Sequence, residues 1–164
     1  MELMRMLRHL CATRAGTRRR FTDEVDAVIE TAIRAAESRT SAEIRFVIET
    51  ALDIPELWAG VSPRDRACQV FSQFGVWDTE LRNGALIYVL AADRDVEIVV
   101  DRGAFRISPV EWEAACKLME GHFRAGRFQE GAVAGVEAVG GLLAREFPVR
   151  SGDRDELPNQ PSLL

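Results

Sequence analysis

The sequence predicts an α/β fold: a three-layer α/β/α sandwich on a mixed sheet of three to four strands, with about four main helices. Three observations lead there. Ala85 to Ala92 carries no charged residue, the pattern of a strand covered on both faces. Val96, Ile98 and Val100 alternate with Glu97 and Asp101 after a turn too short for a crossover, so this second strand must run antiparallel to the first. The segments around the pair repeat apolar residues at helical spacing.

In chain order, residues 1–20 form a basic amphipathic arm, read either as a membrane-surface or partner-docking segment or as a helix packed on the domain or a frayed terminus. Leu3, Met6, Leu7 and Leu10 fall at helical spacing with Arg5 and Arg8 on the other side, and 12–20 reads as a polar linker. The domain proper spans 21–148. Thr22 is a good N-cap for a helix whose Val25, Val28, Ile29, Ala32, Ile33 and Ala36 share one face. Ile44, Phe46 and Ile48 alternate with Glu43, Arg45, Val47 and Glu49, which predicts a half-buried strand or one whose charges line a cleft. Residues 50–61 read as an irregular loop. Ser62-Pro63 starts a second helix with Ala67, Val70, Phe71 and Phe74 on its buried stripe. After the strand pair, Ser108-Pro109-Val110-Glu111 is a capping box opening a third helix. The last helix, about 128–147, contains four glycines at ~1 kcal/mol each in helix propensity, offset if the helix closely approaches the sheet. The polar tail 149–164 is expected to be disordered. A helix joins the strands at 44–48 and 85–91, so they should be parallel.

Charge and composition exclude several functions. The net charge is −5, yet residues 1–20 carry six arginines against Glu2, leaving −10 on the rest. An acidic body with a basic arm argues against nucleic acid and suits a protein partner, membrane-associated or otherwise acidic, reached through the arm. Three cysteines without a CxxC pair suggest free thiols in a reducing, cytoplasmic compartment and no zinc site. No run approaches the ~18 apolar residues of a transmembrane helix, so any membrane association would be peripheral. Neither phosphate-loop nor dinucleotide glycine motifs are present, and no haem site is indicated.

The residues left with chemical promise are acids near the strand ends. Asp78 precedes the Asn83-Gly84 turn, Asp93-Arg94-Asp95 follows the apolar strand, and Glu43 leads into the first strand. Carboxylates of this kind suit calcium or magnesium, and Asp78 and Asp93 are the metal-ligand candidates. The intervening strand separates them by roughly 25 Å at ~3.3 Å per residue, which argues against one shared site. Asp93 and Asp95 resemble the DxD start of haloacid-dehalogenase-type phosphatases, but Glu97 stands where threonine or valine is required and a second strand follows directly, so the match fails.

Taken together, Ala42-Glu43, Ala67 with Val70-Phe71, GVWD at 75–78, Asn83-Gly84, LIYVLAADR at 86–94, IVV at 98–100 and GRFQEG at 126–131 resemble the TPM-domain family over about residues 22–147. The departures are Trp77 in place of a glycine and DRGAF at 101–105 in place of a glycine-rich turn. The resemblance implies an α/β/α sandwich, divalent-cation binding, a weak acid phosphatase activity in some members and accessory roles at membrane complexes in others. A phosphatase on this pattern would hold its cation on Asp78 or Asp93 and the phosphate on Arg94. The altered loops and the lack of histidine chemistry favour a non-catalytic interaction or assembly module.

Overall fold

The computed structural model describes residues 2–152 and 154–164. In chain order it contains α1 (Glu2–Cys11), α2 (Arg14–Arg18), α3 (Asp23–Glu37), β1 (Ile44–Glu49), α4 (Ile54–Trp58), α5 (Pro63–Gln73), β2 (Ala85–Leu90), β3 (Asp95–Val100), a 3-10 turn (Arg102–Arg106), α6 (Pro109–Arg124), α7 (Phe128–Glu146) and β4 (Ser162–Leu163). The strands form one sheet in the order β3-β2-β1-β4. β1 and β2 are parallel and β2 and β3 antiparallel, with Ala85 opposite Val100 and Leu90 opposite Asp95. The α/β sandwich expected from the apolar strand and its short turn is therefore the fold.

The two faces of the sheet bury different cores. Ile44, Phe46, Ile48, Ile87 and Ile98 pack under α3, α6 and α7. Val47, Leu86, Tyr88, Leu90 and Val99 pack under α5, Val76 and Leu157. α3 is capped by Thr22 and α6 by Ser108, as their sequences require. The glycines of α7 meet neighbouring helices more than the sheet. A Cβ on Gly135 would lie 2.1 Å from the Met119 sulfur of α6, and one on Gly140 would lie 2.6 Å from Cβ of Ala36 on α3. Close helix packing is thus what offsets their poor propensity.

Four expectations need correction. β1 is not half-buried; all six of its residues are buried. The reason is the tail, which is ordered where disorder was expected. β4 adds in parallel beside β1, Leu164 donates to Ile48 O at 2.8 Å, and Arg45 donates to the carbonyls of Pro158 and Gln160 at 2.5 and 2.6 Å and to Ser162 Oγ. A buried guanidinium needs several acceptors, and the tail supplies them. The segment 12–20 is not a linker: α2 occupies it, Thr13 accepts from Gly16 N as its cap, and Thr17 is buried. Residues 50–61 contain α4, whose Glu56 reaches back to the amide of Asp53 at 2.9 Å.

The Asn83-Gly84 turn is a structural strut. Asn83 is fully buried, accepts and donates within the loop through Thr79, and donates to Ser41 O at 2.6 Å. Gly84 lies so close to the preceding loop that a Cβ would stand 2.0 Å from Val76 O. Gly84→Ala should therefore cost about 2–3 kcal/mol, as overpacking against backbone does, read as a lowered urea midpoint with an unchanged slope.

Candidate functional site

The acids singled out in the sequence fall into four separate places. Asp93 lies in the tight β2–β3 turn, where Arg94 adopts φ 57°, and its side chain is only 7% exposed. α1 reaches over it. Arg5 Nε donates to Asp93 Oδ2 at 2.9 Å and its Nη2 to Val61 O at 2.9 Å. Arg8 approaches the other carboxylate oxygen to 3.6 Å. His9, buried, accepts from Leu52 N through Nδ1 at 2.9 Å, which puts its proton on Nε2, 3.1 Å from Asp93 Oδ1. Three side chains of one helix thus converge on one buried carboxylate, and a cation at Asp93 would have to displace them.

This constellation was missed in the sequence, where His9 belonged to a peripheral arm. The signal was present as Arg5 and His9 at i, i+4, which share one helix face. Its consequence is an inverted amphipathic helix. With the polar face turned inward, Leu3, Met4, Leu7 and Leu10 are exposed. Arg94 is exposed and shares a shallow cavity with Arg8, Cys11 and Arg20.

Asp78 sits at the opposite end of β2, exposed in a cavity of about 550 Å³ with Trp77, Asp101, Arg82 and Arg102. It shares no site with Asp93. Asp95 lines a larger groove of about 670 Å³ between β3 and α6. Burial, reinforced by Glu97, Glu120 and Asp93, pushes its carboxyl up to about 6. Cys116 in the same groove is pushed up to about 12, chiefly by burial, which makes it a poor nucleophile.

Glu43 belongs to a fourth place. With Glu37 at the end of α3 and Asp155 in the tail, it forms a group of carboxylates whose nearest oxygens lie within 4.8 Å of one another. Glu37 accepts from Ile44 N at 2.9 Å and Glu43 from Leu157 N at 3.1 Å. Burial raises Glu37 to about 8 and Glu43 to about 7, with the neighbouring acids adding to both. Neither Glu37 nor Asp155 stood out in the sequence, because nothing local marks residues 118 positions apart as neighbours.

Two outcomes follow. Asp93→Ala should release α1 and cost about 1.5–3 kcal/mol, the range for hydrogen bonds to charged groups; limited proteolysis should then cut near Arg5 and Arg8 while the sheet stays folded. In EDTA, the raised carboxyls of Glu37 and Glu43 make the folded state bind more protons than the unfolded chain. Their contribution is therefore fully present below about 4.5 and is lost as pH rises through about 7 to 8. The groups facing them are Arg34, Arg150, Arg154, Asp155, Glu156 and Asn159. Glu37→Gln should flatten this slope in urea titrations between pH 5 and 8.

Comparison with known proteins brings the fold into a wider set. A family model described as TPM domain matches residues 18–142. The NMR structure of BA42 protein from the psychrophilic bacterium Bizionia argentinensis is similar, with 37% identity over 87% of this chain and 94% of that one, at a TM-score of 0.76. The N-terminal domain of cg2496 protein from Corynebacterium glutamicum shares the fold at 17% identity and a TM-score of 0.53, covering 74% of this chain and 73% of that one. That of a P. gingivalis protein does so at 23% and 0.57, covering 79% and 81%. No curated protein matches. α1 and the tail strand lie outside the residues the family model matches.

Proposed function

The chain belongs to the TPM-domain family, and on that premise we propose that it works as a non-catalytic docking module whose contact surface is α1 with the arginines beside it. The observation that carries this reading is the inverted amphipathicity of α1. A helix held by its polar face, with Leu3, Leu7 and Leu10 exposed at i, i+4 and i+7, is the donor half of a helix-in-groove contact. The neighbouring Arg8, Arg20 and Arg94 select an acidic rim around that groove. The occupant is accordingly a protein with an apolar, acid-rimmed groove, in this reading membrane-associated and met from the cytoplasm. Among the described residues no helix is long and apolar enough to cross a membrane.

A metal-dependent phosphohydrolase is the second reading, and the cavity at Asp78 is what favours it. Its fit to a cation is limited. Asp93 is already engaged by Arg5, Arg8 and His9. The carboxylates of Asp78 and Asp101 share their cavity with Arg82 and Arg102, a mixed lining that suits an anion as well as calcium or magnesium. Arg94, the phosphate candidate, is at the other end of β2.

The two readings predict different measurements. Affinity purification of the unmodified protein and of Leu7→Glu/Leu10→Glu, compared quantitatively, should show an acidic partner lost from the variant, with thermal midpoints equal because both side chains are exposed. Each leucine covered contributes about 1–2 kcal/mol, so the pair should weaken binding at least tenfold. Flotation on anionic vesicles that depends on residues 2–11 would replace the protein partner with lipid. Steady hydrolysis of p-nitrophenyl phosphate in calcium or magnesium, abolished by Asp78→Ala, would establish the enzyme instead.

A further inference from the structure

The groove of about 670 Å³ between β3 and α6 is used by neither reading above. β3 is the open edge of the sheet, and the groove along it has two unlike ends. Asp95, Glu97 and Glu120 stand together where β3 begins. Ala104, Phe105, Ile107 and Pro109 close the other end, beyond Val100. Buried Val96, Ile98 and Trp112 form an apolar floor between them. From Asp95 to Val100 the strand spans roughly 17 Å at ~3.3 Å per residue. The acidic end lacks a counter-charge. Lys117 is paired with Glu113, Arg64 with Glu97, Arg124 with Glu120 and Arg5 with Asp93. Among the described residues no cation pairs with Asp95, and its Oδ1 is buried without a donor. A buried carboxylate oxygen without a partner calls for an explanation. At the far end Phe105 is 70% exposed, a large apolar surface with no cover.

We propose that this groove binds a primary amine on an apolar chain, with the ammonium against Asp95 and Glu120 and the chain along Ile98 and Trp112 toward Phe105. An ammonium brings three donors and a positive charge to the carboxylate that has neither. Apolar walls with a few convergent polar groups, at this volume, are the usual form of a small-molecule site. The two unlike ends fix the ligand's direction and require both of its parts. A hydrated metal ion would leave the apolar walls uncovered, and a neutral chain would leave Asp95 buried without a donor. The proposal is independent of docking through α1.

The test is calorimetric titration of the full chain with octylamine, with octanol as the chain without the charge and ethylamine as the charge without the chain. Octylamine should bind at least about tenfold more tightly than either, since each part of the ligand contributes. Asp95→Asn should abolish the preference for octylamine over octanol and leave octanol binding unchanged. Phe105→Ala, at an exposed position that folding tolerates, should weaken both ligands together. Asp78→Asn, at the opposite end of the sheet, should change neither. Thermal midpoints of the variants confirm that each is folded. An unmodified protein that does not bind octylamine, or binds octanol or ethylamine as tightly, overturns the proposal. So does a full preference for octylamine in Asp95→Asn. A capped lysine peptide that binds more tightly than octylamine would replace the free amine with a protein side chain and overturn it as well.

Discussion

Charge buried on the central strand is the constraint around which the molecule is built. β1 carries Arg45 and Glu49 on the face that Val47 shares, and Glu43 just before it, all buried. Ionised groups taken from water are tolerated only with partners, and Arg45 and Glu49 each find theirs. Glu49 is held by Arg66 of α5 at 2.8 Å and by the Tyr88 hydroxyl at 2.5 Å. Arg45 takes three acceptors from the tail and lies 5.2 Å from the Phe74 ring. These requirements recruit α5 to one face of the sheet and residues 157–164 to the open edge of β1, while the apolar face of β1 gathers α3, α6 and α7. The three layers follow from the two faces of a single strand.

The same logic applied at the β2–β3 turn gives α1 its place. A carboxylate on a tight turn, partly desolvated, draws Arg5, Arg8 and His9 onto itself, and the helix then has only one way to face. Its leucines are left outward because its arginine and histidine are needed inward. Amphipathicity read from periodicity alone says which residues share a side, but not which side the rest of the protein wants.

That distinction also separates what was legible in the sequence from what was not. β2, β3 and the turn between them could be read directly, because an uncharged run and a short polar turn admit few alternatives. α3, α5 and α6 announced themselves through Thr22, Ser62-Pro63 and Ser108-Pro109. The tail was illegible for the opposite reason: SGDRDELPNQPSLL has the composition of disorder, and its order depends on Arg45, more than a hundred residues away. The candidate sites divide in the same manner. Asp93 and Glu43 were visible as acids at strand ends, but His9 and Asp155, which decide what those acids do, join them only through tertiary structure. Asn83 and Gly84, the turn that follows Asp78, secure the loop before β2.

Both ends of the described chain meet at the C-terminal end of β1: His9 accepts from Leu52, Thr50 donates to Leu164, and Arg14 donates to Leu163 at 3.2 Å. During vectorial synthesis β1 emerges early, but the acceptors for Arg45 and the strand that covers its open edge come more than a hundred residues later. Until then the nascent domain presents a bare strand edge with an unsatisfied guanidinium, a state open to pairing with other chains. Residues 157–164 are therefore the latch of the fold, and a ribosome-bound chain that stops short of residue 157 is an unfinished sheet.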